Sequence, residues 1–82
     1  MISSEDVFNR CTRIFRTVFL DSSLTITPAT SASEIADWDS LAQIRILTMI
    51  EQEFEIRFSL DEAESLQDVG EIVALVVVKV KP

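Results

Sequence analysis

The residue types that carry most enzyme chemistry are scarce in this chain. It has 82 residues, no histidine, one glycine and one cysteine, Cys11. Without histidine, a Ser-His-Asp triad and any histidine-containing metal site are excluded. A single cysteine cannot form a zinc site, a redox pair or an intramolecular disulfide, and one glycine cannot build a glycine-rich phosphate loop. Cys11 falls on an apolar helix stripe, so we expect it to be a core residue.

The acidic pair Asp37 and Asp39 raises the possibility of calcium binding. An EF-hand loop beginning at Asp37 would need glycine at its sixth position and glutamate at its twelfth. Those positions hold Ala42 and Thr48, so the loop does not fit. Carboxylates for glycoside hydrolysis are numerous, but a helical domain of this size offers no substrate cleft. We therefore expect no metal site and no enzyme activity from this chain alone.

What remains is the segment Asp37-Trp38-Asp39-Ser40-Leu41, which lies between a long loop and a predicted helix. Residues 21–37 are rich in Ser, Thr, Ala and Asp. Loops of this length are uncommon in compact domains unless they pack or function. The apolar residues of the loop are expected to fix it to the core at three points: Leu24, Ile26 and Ile35.

Hydrophobic periodicity predicts helices on both sides of this loop. Ser3 is expected to cap a first helix that ends near Leu20, with its arginines solvated: Arg10, Arg13 and Arg16. A second helix is predicted to begin at Asp39 or Ser40, where acids favour a helix start. Its inward positions are predicted as Leu41, Ile44, Leu47, Ile50 and Phe54, with Met49 beside them and Ile46 on a second face.

Two further helices follow from capping signals. Ser59 and Glu62 have capping-box spacing and predict a short helix over residues 60–65. A similar signal at residues 65–68 predicts a fourth helix, whose inner stripe is Val69, Ile72, Val73, Val76 and Val77. Residues 76–80 are β-branched and also compatible with a strand. Helix is preferred because a lone strand would have no partner, although the last turns are expected to fray. The predicted fold is all-α, a four-helix bundle with three longer helices and one short helix, in a single domain over residues 1–82.

Charge restricts the possible partners. The formal net charge is −7, and residues 34–71 hold eleven acids against Arg45 and Arg57. Such a surface repels nucleic acid and anionic lipid and attracts basic protein partners. The N-terminus lacks the features of a signal peptide, and the longest apolar run, residues 72–78, is too short to span a bilayer. We expect a cytoplasmic monomer.

Asp39-Ser40-Leu41, followed by an amphipathic helix ending in Glu51-Gln52-Glu53-Phe54, resembles the acyl carrier protein family. The resemblance extends along the chain. Thr25-Ile26-Thr27-Pro28-Ala29-Thr30 is similar to the family's loop, Asp61-Glu62-Ala63-Glu64-Ser65-Leu66 to its short third helix, and Val69-Gly70-Glu71-Ile72 to the start of its last helix. Trp38 before the motif resembles a subset of free-standing bacterial carriers.

This resemblance implies that Ser40 carries 4′-phosphopantetheine, whose thiol holds acyl groups as thioesters, within a motif completed by Asp39 and Leu41. Leu41 is expected to turn inward and anchor the helix start. A phosphopantetheinyl transferase would load Ser40 from coenzyme A with magnesium, and acyl-loading and acyl-processing enzymes would then use the arm. Part of the predicted core is expected to open and shelter the acyl chain: Ile44, Met49, Phe54, Leu60, Ala63, Ile72 and Val76.

The resemblance also implies a partner-docking surface around the motif, expected to comprise Trp38, Ala42, Arg45, Glu51, Glu53, Asp61, Glu62 and Glu64. Carriers of fatty-acid synthesis often have acids where this chain has Ala42 and Arg45. This difference favours a specialised lipid or secondary-metabolite pathway. Two alternatives stay open: an acidic helical interaction module in which Ser40 is only a helix N-cap, and a peptidyl or aryl carrier of non-ribosomal synthesis.

Overall fold

The computed structural model describes residues 3–80, and these form four α-helices. The helices are α1 (Ser4–Val18), α2 (Ser40–Phe54), α3 (Leu60–Ser65) and α4 (Val69–Val80), with one 3-10 turn at Ala32–Glu34. Within residues 3–80 the only β-type pairing is an isolated bridge between Ser31 and Asp68. The all-α prediction is confirmed, including helix rather than strand at residues 76–80. Fraying is expected over the last turns, residues 76–82; of these, residues 76–80 are helical and residues 81–82 lie outside the described residues.

Helix α1 forms as its sequence predicts. The Ser3 hydroxyl accepts a hydrogen bond from the Asp6 amide at 3.1 Å and so caps the helix. One face of α1 is buried in the core through Val7, Cys11, Ile14 and Phe15. Burial raises the pKa of the Cys11 thiol to about 12, since a thiolate would lose its hydration there. Cys11 is thus a core residue.

Helix α2 is rotated from its predicted orientation. Its buried side chains are Ala42, Ile46, Leu47, Ile50 and Phe54, whereas Leu41 is 58% exposed and Ile44 61% exposed. The prediction that Leu41 and Ile44 turn inward is therefore wrong, whereas Leu47, Ile50 and Phe54 are buried as predicted. Apolar residues occur on nearly every side of α2, so periodicity alone cannot choose the face that packs.

The arginines of α1 were expected to be solvated, and two of them instead form tertiary contacts. The Arg10 guanidinium is 2.6 Å from a Glu53 carboxylate oxygen and lies 4.4 Å from the centroid of the Phe54 ring. Arg16 Nε donates to the Leu24 carbonyl at 2.7 Å. Only Arg13 of the three is exposed as predicted. These contacts fasten α1 to the end of α2 and to the following loop.

The long loop packs against the core at its predicted points. Ile26 is buried, and Leu24 and Ile35 are partly buried against the core. The loop is also tied to the start of α4, since the Gly70 amide donates to the Pro28 carbonyl at 2.8 Å and the Val69 amide to Thr30 at 2.9 Å. These contacts fix the chain that leads into α2.

The helices within residues 3–80 are too short or too polar to cross a bilayer.

Gly70→Ala should destabilise the protein, although alanine favours helices. A Cβ at Gly70 would lie 2.9 Å from the Pro28 carbonyl oxygen, a backbone atom that cannot move without shifting the loop. We expect a loss of about 1–3 kcal/mol in the free energy of unfolding, measured by urea denaturation. Ala74→Gly, at an exposed position of the same helix, measures the difference in helix propensity between alanine and glycine without the contact to the loop. A gain in stability for Gly70→Ala would show that the contact with the loop is not tight.

Candidate functional site

Asp39 is the residue that precedes and caps α2. Its side-chain oxygen accepts a hydrogen bond from the Ala42 amide at 2.9 Å, and its carbonyl accepts from the Gln43 amide at 2.9 Å. This is the geometry of an N-cap. Ser40 is therefore the first helical residue. Between the two predicted starts, Asp39 and Ser40, the structure selects Asp39 as the cap.

Ser40 is exposed to solvent. No side-chain hydrogen bond found within residues 3–80 uses this hydroxyl, because Asp39 already makes the capping contact. The amides of Ser40 and Leu41, in the first turn, have no intrahelical acceptor. An anionic group attached to the hydroxyl would lie against these amides and the positive end of the helix dipole.

Trp38 holds the chain just before this site. Its ring is buried and meets the Phe15 ring of α1 edge-on, with centroids 5.1 Å apart and an angle of 83°. Its indole N–H donates to the Gln43 Oε1 at 2.7 Å. This bond gives the buried indole nitrogen, the polar atom of the ring, a hydrogen-bond partner. Because Trp38 and Ala42 are both buried, they offer little surface to a partner, contrary to the docking role expected from the sequence.

A groove of about 780 Å³ lies beside Ser40, between α2, α3 and the 3-10 turn. Its apolar walls are formed by Trp38, Ile44, Leu47, Leu60 and Leu66. Leu60 is 74% exposed, so this wall of the groove is open to solvent. Ser40 itself lines the groove, which places the hydroxyl at its edge. Of the residues expected to shelter a chain, Ile44, Leu60 and Ala63 line this groove, whereas Ile72 and Val76 are in the central core.

Three of the acids expected at a docking surface have structural contacts. Glu51 accepts from the Phe58 amide at 2.8 Å, and Glu53 pairs with Arg10. Glu62 completes the capping box with Ser59 and lies 2.9 Å from the Lys79 ammonium group. The hydrogen bond from the Ser59 amide, followed by that from Lys79, lowers the pKa of Glu62.

The other charged residues of the expected docking surface are exposed: Arg45, Asp61 and Glu64. Across the described part of the chain, none of the three forms an ion pair. Together with the exposed Leu41 and Ile44, Arg45 makes the outward side of α2 near Ser40 apolar and positive.

Gln43 is the site residue that sequence reasoning missed. Its side chain connects Trp38 to the carbonyls at the end of α3, at distances of 2.7 Å to the indole nitrogen and 3.3 Å to Leu66. In the sequence, Gln43 is a polar amide residue one turn after Ser40 with apolar neighbours. Hydrophobic periodicity does not show which groups its side chain binds.

Comparison with known proteins agrees with this geometry. A family model described as "Phosphopantetheine attachment site" matches residues 12–76. The solution structure of a holo acyl carrier protein from Geobacter metallireducens is 38% identical, with a TM-score of 0.82, and the match covers 89% of this chain and 84% of that one. A putative acyl carrier protein from Mycobacterium tuberculosis has a similar fold at 22% identity, with a TM-score of 0.80 and coverage of 88% and 96%. No curated protein sequence matches significantly.

The two residues at the start of α2 should respond differently to alanine. Asp39→Ala removes the cap and should cost about 1 kcal/mol of unfolding free energy. Ser40→Ala removes a hydroxyl that caps nothing and should change stability by less than about 0.5 kcal/mol, as exposed substitutions usually do. Chemical denaturation of both variants decides between them. A larger loss for Ser40→Ala than for Asp39→Ala would restore Ser40 as the cap.

Proposed function

Because this chain belongs to the family of carriers with a phosphopantetheine attachment site, we propose that it is an acyl carrier protein whose arm is attached to Ser40. The observation that supports this position is the division of roles at the helix start. Asp39 makes the cap, and the exposed hydroxyl of Ser40 is left for a transferase to reach.

The residues around Ser40 fit such a group. The phosphodiester of the arm is an anion, and the unpaired first-turn amides of α2 provide a favourable position for it. The side of α2 next to Ser40 adds no acid, since Leu41, Ala42, Gln43 and Ile44 are all uncharged. The carboxylate of Asp39 is directed at the Ala42 amide.

The chain itself performs no bond chemistry in this account. The arm supplies a thiol that holds acyl groups as thioesters, while a transferase uses coenzyme A and magnesium to modify Ser40. The protein's residues fix the attachment point, through the Asp39 cap and the buried Trp38, and provide the groove into which a bound chain can turn. The acidic charge and the buried lone cysteine are compatible with a cytoplasmic monomer.

We also propose that the pathway is a specialised lipid or secondary-metabolite pathway. Partners with basic docking patches recognise acids, but on α2 they would meet the exposed Arg45 and the apolar Leu41 and Ile44. Ala42 is 7% exposed and presents no charge. Apart from the cap Asp39, the exposed acid that lines the groove is Glu64 on α3, and Asp61 is exposed on the same helix. This distribution suits partners whose surface is apolar and acidic where it meets α2.

Among the alternatives, an acidic interaction module with Ser40 as its cap lacks support at the helix start, where Asp39 is the cap. A peptidyl or aryl carrier would share the attachment chemistry and differ in cargo.

Incubation with a broad-specificity phosphopantetheinyl transferase and coenzyme A should increase the intact mass of the protein by one phosphopantetheine. Ser40→Ala should abolish the gain, because the variant lacks the acceptor oxygen. Ser33→Ala, which alters another serine lining the groove, should be modified like the unaltered protein. Modification that survives Ser40→Ala, or none in the unaltered protein, would refute the proposal.

Arg45→Glu should strengthen binding to a fatty-acid synthesis enzyme that has a basic docking patch. An exposed charge pair contributes about 0.2–1 kcal/mol, so replacing repulsion by attraction should lower the Kd a few-fold to about tenfold at low salt. Calorimetric titration at two salt concentrations measures the change. Arg13→Glu, the same charge reversal at an exposed position of α1, serves as the control. Equal effects of the two variants would show that only net charge matters.

A further inference from the structure

The Gln43 side chain crosses the groove beside Ser40. Its carbonyl oxygen accepts from the Trp38 indole at 2.7 Å. Its amide nitrogen is 3.3 Å from the Leu66 carbonyl oxygen and 3.5 Å from that of Ala63. One side chain on α2 therefore joins the loop before Ser40 to the end of α3, and it lines the same groove as Ser40.

The two ends of this connection differ in how firmly they are held. Trp38 is 6% exposed and packs on the α1 core. Helix α3 has no buried residue. Its other side-chain ties are the ion pair between Glu62 and Lys79, whose side chains are about 32% and 24% exposed, and the contact of Glu51 with the residue before Ser59. The end of α3 is held in addition by Leu66, which is partly buried against the core, and by the Gln43 hydrogen bonds.

The hydrogen bonds of Gln43 resist the entry of an apolar chain between α2 and α3. A chain that separates these helices must part the amide from the carbonyls of Leu66 and Ala63, and hydrocarbon offers neither side a new partner. Unpaired polar groups next to apolar surface are costly. A short acyl group can remain at the open edge of the groove and leave these bonds intact.

We propose that Gln43 acts as a latch on α3 and determines which acyl chains the groove admits, favouring short groups over long saturated ones. Gln43 is a positioning residue in this role, because it acts through the placement of α3. The inference rests on the proposed attachment of the arm to Ser40, but the latch itself can be measured in the unmodified protein.

The first test is hydrogen exchange and tryptophan fluorescence of the unmodified protein. Gln43→Ala removes both ends of the latch, so exchange of the α3 amides should become about tenfold faster and the emission of Trp38, the single tryptophan, should shift. Gln43→Glu keeps an acceptor for the indole but removes the donor to α3, so exchange should accelerate while the emission changes little. Gln52→Ala, at an exposed position of α2, is the matched control. Exchange in α3 that is no faster in Gln43→Ala than in this control would overturn the inference.

The second test loads Ser40 with butanoyl or octanoyl arms from the corresponding acyl-coenzyme A and compares thermal stability. In the unaltered protein the octanoyl arm should raise Tm no more than the butanoyl arm does. In Gln43→Ala the octanoyl arm should raise Tm by several degrees more than the butanoyl arm, since the released α3 lets the chain be buried. The same chain-length dependence in both proteins would contradict the proposed selectivity. If the unaltered protein accepts no arm, the proposed attachment fails, whereas the exchange experiment still tests the latch.

Discussion

The hydrogen bond from the Ala42 amide to the Asp39 carboxylate determines what Ser40 can do. A helix start needs acceptors for its first amides, and a serine at that point usually supplies one. Here Asp39 takes that role at 2.9 Å, and the Ser40 hydroxyl is left exposed one residue later. If the cap lay one position later, the Ser40 hydroxyl would be the capping group and would not be free to carry the proposed arm.

The position of the cap depends in turn on the loop. Ile26 is buried, and the Trp38 ring packs edge-on against Phe15 of α1, so the chain reaches Asp39 in a fixed place. Helix α3, on the other side of the groove, has no buried residue. The fold thus combines a firmly placed Ser40, the proposed attachment residue, with a weakly held wall beside it. A carrier needs both, since its serine must be found by partners and its cargo must enter and leave.

Much of this structure could be predicted from local signals. The capping box of Ser59 and Glu62 gave α3 its bounds, and Ser3 gave the start of α1. Only part of the inward face of α2 could be predicted, because apolar residues occur on most sides of that helix and packing against α1 decides. The contacts of Arg10 with Glu53 and of Glu62 with Lys79 join residues far apart in sequence. The bridge formed by Gln43 is likewise tertiary, so periodicity and composition contain no sign of it.

Peptide mapping tests directly whether the Ser40 hydroxyl oxygen is the atom that carries the arm. Protein modified with transferase and coenzyme A is cleaved after arginine, which releases residues 17–45 with five serines in one peptide: Ser22, Ser23, Ser31, Ser33 and Ser40. Fragmentation of that peptide locates the added mass. We expect phosphopantetheine on Ser40 and on none of the other four serines. Phosphopantetheine on any other residue would contradict this expectation.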